Sequence, residues 1–225
     1  MSATSLFLWT SVLSNGHAQP APSTLVAEQQ GGAESSVKAA EYLTIQERAV
    51  IMEINLMRTH PAEYAERYLV PMRSYYKGRL LQYPAEIPLV TTEGIAALEE
   101  CITVLQHTNP LPPLLPRKGL VLAARDHAAD QSSTGAIGHK GSDGSSPFER
   151  MERYGTWLQI AGENINYGDA NARYIVTALL IDDDVPSRGH RKNLLNAQFG
   201  VVGVALATHK VYRALCVMDF AGEFE

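Results

Sequence analysis

The sequence predicts an α+β layered domain. Amphipathic helical stripes come first along the chain and β-rich runs come last, with no alternating βαβ units between them. The 225 residues are 45% hydrophobic and 19% charged, a balance that suits one sizeable buried core rather than a disordered or fibrous chain. No internal repeat is present.

Each element has its own signal. Order is expected to begin at Thr44-Ile45-Gln46-Glu47, where Thr and Glu three apart can satisfy each other's free backbone donors as a capping box. The helix behind it turns Val50, Ile51, Ile54 and Met57 toward a core. It should stop at His60-Pro61, where the proline can open a second short helix through Tyr64 and Leu69. A third helix runs from about Thr92 to His107 with Ile95, Leu98, Ile102 and Leu105 on one stripe, ended by Asn109-Pro110. Gly119 to about Ser132 is helical with a small-residue face (Ala123, Ala124, Ala128) that would let another layer approach closely. A further helix spans about Ala170 to Ile181. Val201–Leu206 and Tyr212–Met218, separated by a polar stretch at His209-Lys210, read as a β-hairpin.

The net charge is −5, and no block of basic residues occurs, so nucleic-acid binding lacks its electrostatic footprint. No run of ~18 apolar residues is present to form a transmembrane helix. Residues 1–18 resemble a secretory signal: an apolar run at Leu6–Leu13, then small Gly16 and Ala18 before a cleavage point, although the n-region lacks Lys or Arg. Residues 19–43 are small, polar and aperiodic and read as a disordered linker. Cys101 and Cys216 are compatible either with a disulfide or with two buried thiols.

Of seven histidines, His127 on an apolar helix face reads as a hydrogen-bonded core residue, and His107 as a helix C-terminal residue capping carbonyls. His139 differs, lying in the glycine-rich Gly138-His139-Lys140-Gly141-Ser142-Asp143-Gly144. His190 follows a Pro and Gly break in Pro186-Ser187-Arg188-Gly189-His190, and Glu163 is bracketed in Gly162-Glu163-Asn164. Ionisable groups on glycine-flanked loops fit a site better than a core. Tyr154, Trp157 and Tyr167 flank Glu163 and read first as core aromatics. Arg188 and Arg191 are expected to pair with the acidic run Asp182-Asp183-Asp184.

At these residues the chain resembles the CAP superfamily (cysteine-rich secretory proteins, antigen 5, pathogenesis-related proteins), and most closely its bacterial secreted branch. The matching pieces, in order, are Ile54-Asn55-Leu56-Met57-Arg58, Pro113-Leu114 with Leu120 to Asp130, and Gly138-His139 to Gly144 with Arg150. They continue with Gly162-Glu163-Asn164-Ile165, Gly189-His190-Arg191-Lys192-Asn193-Leu194-Leu195, and the closing Val202–Ala205 and Cys216–Phe220. The resemblance covers about residues 44–222 of a domain over 44–225. Residues at about 70–112 read as an insertion.

That resemblance implies a three-layer α-β-α sandwich around a small antiparallel sheet. It also implies a cleft with two histidines and two acidic residues. His139, Glu163 and His190 carry over by motif. The fourth position falls in Asp182-Asp183-Asp184, with Asp184 the named candidate. Two imidazoles and a carboxylate (His139, His190, Glu163) are a donor set for a divalent metal, zinc above all. The leading reading is a secreted (extracellular or periplasmic), non-enzymatic module whose cleft binds a divalent metal or an extracellular ligand, lipid or protein. The alternatives are a metal-dependent hydrolase (peptidase or esterase) using the same cleft, and a structural network of hydrogen bonds. No H-E-x-x-H, G-x-S-x-G or P-loop pattern supports catalysis.

Overall fold

The computed structural model describes residues 22–84 and 87–225, with side chains from Gly31 onward. The signal-like segment 1–18 lies outside them. Within the expected linker the chain forms a helix, α1 (Pro22–Ala39). Its docking explains the difference: Ala33 and Val37, one turn apart, are buried, and the Arg48 guanidinium reaches the Lys38, Ala40 and Leu43 carbonyls at and beyond the helix end. Tertiary contact thus orders a sequence whose Gly31-Gly32 pair is a poor helix former.

Helix α2 (Ile45–Thr59) starts from the expected capping box, with Glu47 N–H donating to Thr44 Oγ1 (3.2 Å) and Thr44 N–H to Glu47 Oε2 (2.8 Å). Val50, Ile51, Ile54 and Met57 are fully buried. The short α3 (Pro61–Tyr64) widens into a π turn over Ala65–Leu69 and tightens into a 3₁₀ segment over Val70–Tyr75. The insertion then makes a small antiparallel sheet of β1 (Tyr76–Lys77), β2 (Leu80–Leu81) and β3 (Leu89–Val90), followed by α4 (Ile95–Gln106). Two-residue strands leave no periodicity to detect in sequence.

After β4 (Leu115–Pro116) come α5 (Lys118–Thr134), α6 (Pro147–Glu152), β5 (Trp157–Tyr167), α7 (Ala172–Ile181), α8 (Gly189–Leu194), β6 (Val201–His209) and β7 (Arg213–Phe224). The main sheet has the order β4-β6-β7-β5. It is mixed rather than wholly antiparallel, because β4 joins β6 in parallel. The Asn55 and Arg58 side chains fix the path into β4. Asn55 bonds both ways with the Leu114 backbone (2.9 and 2.8 Å), and the buried Arg58 guanidinium donates to the carbonyls of Pro112, Leu194, Asn196 and Phe199. The Ile54–Arg58 motif is therefore a clamp on the fold, and through Leu194 it holds the end of α8.

Strand alternation divides the core. Val202, Val204, Met218 and Phe220 pack with α2, α4 and α7, whereas Ala205, Val217 and Ala221 face α5. Helices thus cover both faces, as a sandwich requires. The small-residue face of α5 does permit close approach: a Cβ on Gly203 of β6 would lie 2.1 Å from the Leu120 carbonyl carbon. Cys101 and Cys216 are free, buried thiols within the α2/α4/α7 core, and burial pushes the Cys101 thiol up to about 12.

Candidate functional site

His139 sits on the loop after α5, and that loop is pinned from below. α5 ends on left-handed Gly135 (φ 76°). The next glycine, Gly138, gives its N–H to the Tyr167 hydroxyl (2.8 Å), and its carbonyl accepts from Gln131 Nε2 (2.5 Å) and His127 Nε2 (2.9 Å). His127 is thereby the buried, bonded histidine that its apolar face suggests, and burial holds its pKa below the usual imidazole range. Beyond His139 the chain turns back through Gly141 N–H to Ser145 O (2.9 Å). A Cβ on Gly141 would fall 2.6 Å from Asp143 Oδ1, so the turn admits only glycine without rearrangement.

Glu163 lies on strand β5, not on a loop, and its side chain is 1% exposed. Its Oε1 accepts from His139 Nδ1 (2.8 Å) and its Oε2 from Arg150 Nη2 (2.7 Å). Arg150, buried on α6, also donates to the His139 and Ser145 carbonyls (3.1 and 3.0 Å). One guanidinium therefore holds the carboxylate and the backbone of the histidine that the carboxylate orients. Directly across the ladder, Asp219 of β7 is fully buried beside Glu163. Burial, then the neighbouring Glu163 carboxylate, push its pKa well above the carboxylate range.

His190 opens α8 and is held the same way at the ring. Its Nδ1 bonds Asp182 Oδ1 (2.6 Å), while Asp182 Oδ2 accepts from the backbone N–H of His190 (2.9 Å) and Arg191 (3.3 Å). The fourth acidic partner is thus Asp182, not Asp184. The reason is local: α7 ends at Asp182 in a left-handed conformation (φ 57°), which turns this carboxylate toward α8. Asp183 instead accepts from the Thr92 and Glu93 N–H groups (2.6 and 2.8 Å), and Asp184 offers its N–H to Glu93 Oε1 (2.9 Å). Arg188 and Arg191 do form ion pairs, but with Glu93 and Glu100 of the insertion rather than with the aspartates.

A carboxylate oxygen accepts, so each imidazole donates through Nδ1, and Nε2 is the ring nitrogen that the carboxylate does not engage. The His139 side chain is 51% exposed and that of His190 is 25% exposed. The two dyads attach to consecutive residues of β5, since Asn164 Nδ2 donates to the His190 carbonyl (3.0 Å) and Asn193 Nδ2 to Asn164 Oδ1 (2.8 Å). Glu163 spends both oxygens on His139 and Arg150, which makes it an orienting group. Among the described residues no three His, Cys, Asp or Glu side chains gather as a metal-holding group.

The remaining expectations resolve one by one. His107 Nδ1 caps the Thr103 carbonyl (2.7 Å). Tyr167 supports the His139 loop and also donates to Gln131 Oε1 (2.9 Å). Tyr154 is exposed and bonds Asp126, and half-buried Trp157 packs on Phe148, so neither is the core aromatic expected. Arg150, Asp219 and Asn164 escape a reading that looks for ligands. Arg150 at least stands inside the matched segment after His139.

A protein-family model described as "Cysteine-rich secretory protein family" (CAP) matches residues 54–220. The uncharacterized protein YkwD of Bacillus subtilis (strain 168) is 34% identical over 94 residues, covering 42% of this chain and 35% of that protein. The chain therefore spans about a third of the length of that curated relative. Two solved structures are similar. An extracellular protein containing an SCP domain from Bacillus anthracis str. Ames matches at 29% identity and TM-score 0.42, over 49% of this chain and 34% of that one. An outer surface protein from Borrelia burgdorferi matches at 22% identity and TM-score 0.42, over 49% and 78% respectively.

Proposed function

The chain belongs to the cysteine-rich secretory protein (CAP) family over residues 54–220, and from that premise we propose that it is an extracellular recognition module whose two His–carboxylate dyads take up a divalent cation. The single observation that carries this reading is the shared tethering. His139 and His190 each tie Nδ1 to a buried carboxylate, so that Nε2 is the ring nitrogen turned away from it. Metal-bound histidines characteristically donate their second ring N–H to a carboxylate, which fixes the tautomer and raises ligand basicity. The donor chemistry fits a borderline cation such as zinc through the two imidazoles, with Glu163 and Asp182 as orienting groups and the remaining positions left to water or to a bound partner. The signal-like segment and the family's secretory character support an extracellular setting. No described helix is long and apolar enough to cross a membrane. A hydrolase would need a further general base; Asp183 is committed to two backbone N–H groups, and Asp219, beside Glu163, is fully buried.

The test is zinc calorimetry at pH 7.5 and pH 5.5 on the wild type, His139→Ala and His190→Ala. One saturable site, weakened at low pH and in both variants, is the expected result. No binding, with both variants merely less stable, overturns the metal reading and leaves the dyads as a structural network.

A further inference from the structure

Away from the dyads, a groove of about 290 Å³ opens between the insertion and the first turns of α7. Its walls are tyrosines: Tyr68, Tyr75, Tyr83 and Tyr174, all half-buried. The rings are already arranged. Tyr83 stacks on Tyr174 (centroids 4.5 Å apart, planes at 22°), and Tyr75 leans on Tyr83 at 5.6 Å. The Arg173 guanidinium lies 3.6 Å over the Tyr68 ring, and Arg173 is itself fixed by two bonds to Glu53 (2.8 and 3.1 Å). Glu53 also accepts from Tyr64 (2.7 Å). Preformed walls spare a ligand the cost of ordering them.

Arg67 stands at the rim, 5.5 Å from the Tyr68 ring, and has no carboxylate partner among the described residues. Asp169 acts electrostatically on the phenol of Tyr83. The groove is therefore flat and aromatic along its walls and cationic at the Arg67 end. Its volume is at the low end for small-molecule sites, enough for one or two rings. The Arg67 guanidinium at the rim counts against a quaternary ammonium, the usual guest of an aromatic cage. A pyranose ring is the better match: its C–H face packs on the electron-rich faces of tyrosine, and its hydroxyls meet phenol and guanidinium donors. A carboxylate on that ring would complete Arg67, in the paired geometry that guanidinium favours.

We propose that this groove is a binding site for an acidic sugar, one uronate-type ring stacked on the tyrosines with its carboxylate on Arg67. The site is independent of the dyads, so it stands or falls apart from the metal reading. The experiment is calorimetry of the full chain with three probes: a tetrasaccharide alternating uronic acid and N-acetylhexosamine, its carboxyl-reduced neutral counterpart, and a proline-rich acidic peptide. Wild type, Arg67→Gln and Tyr75→Leu are compared, with thermal melting as the check on folding. The expected result is saturable binding of the acidic sugar, with the neutral form about tenfold weaker. Arg67→Gln should bring the acidic sugar down to the neutral level, and Tyr75→Leu should weaken both sugars, with zinc binding unchanged in each variant. Arg67 is exposed, so its variant is informative even where Tyr75→Leu folds poorly. Absence of sugar binding, binding indifferent to Arg67, or capture of the peptide alone would overturn the proposal.

Discussion

The two histidines make the same bond to different kinds of support. Asp182, beneath His190, is held by short-range contacts: a left-handed helix end and two backbone N–H groups eight and nine residues on. Glu163, beneath His139, is held by a buried guanidinium thirteen residues earlier on another element, and it shares its surroundings with a second buried acid, Asp219. A carboxylate satisfied by backbone donors carries its support with the local fold. A carboxylate satisfied by an ion pair depends on one distant side chain remaining in place. The His139 half should accordingly be the fragile one.

The largest effect is expected at Arg150. Arg150→Met leaves the Glu163 carboxylate buried without its cation, and should cost about 3–5 kcal/mol in denaturant unfolding. A loss under about 1 kcal/mol would show that the ion pair is not the support. Next, Asp182→Ala should cost about 2 kcal/mol by removing the acceptor for two backbone donors, and Asp182→Asn about half of that. Equal losses in the two variants would mean that the backbone bonds contribute nothing.

A third effect separates the halves by pH. The folded state holds the Asp219 proton more tightly than the unfolded chain does. Its contribution to stability is therefore complete below about pH 4 and is lost as pH rises through the raised folded value. Asp219→Asn cannot ionise, so its melting temperature should gain on the wild type as pH rises from about 4 toward the raised folded value, and level off beyond it. A constant difference would contradict the buried pair. The smallest effect is expected for His139→Gln. Its ring is half exposed, so stability should change by less than about 1 kcal/mol, read by the same denaturant titration.

The parts legible in sequence are those whose signal is local and repeated. α2, α4, α5, α7 and the β6–β7 hairpin carry full amphipathic stripes or β-rich runs, and the Thr44–Glu47 box announces its own helix. β5 is illegible for a physical reason: Glu163, Asn164 and Asn166 are polar yet buried, and Arg150 and Asn193 reach the first two from other elements. α1 is hidden because docking, not propensity, orders it. In the site, the glycine-flanked His139, Glu163 and His190 stand out. The choice of Asp182 over Asp184 does not, since both are left-handed (φ 57° and 65°) and only the contact of Asp182 with the His190 ring and backbone separates them.

The most direct measurement is long-range proton–nitrogen NMR of the imidazole rings in the apo protein at pH 7.5, with His139→Gln and His190→Gln used for assignment. Both rings should be in the Nδ1–H tautomer with Nε2 unprotonated, and both Nε2 signals should move together on adding zinc. An Nε2–H tautomer at either ring, or a zinc response confined to one of them, would contradict a recognition centre built from two like-tethered histidines.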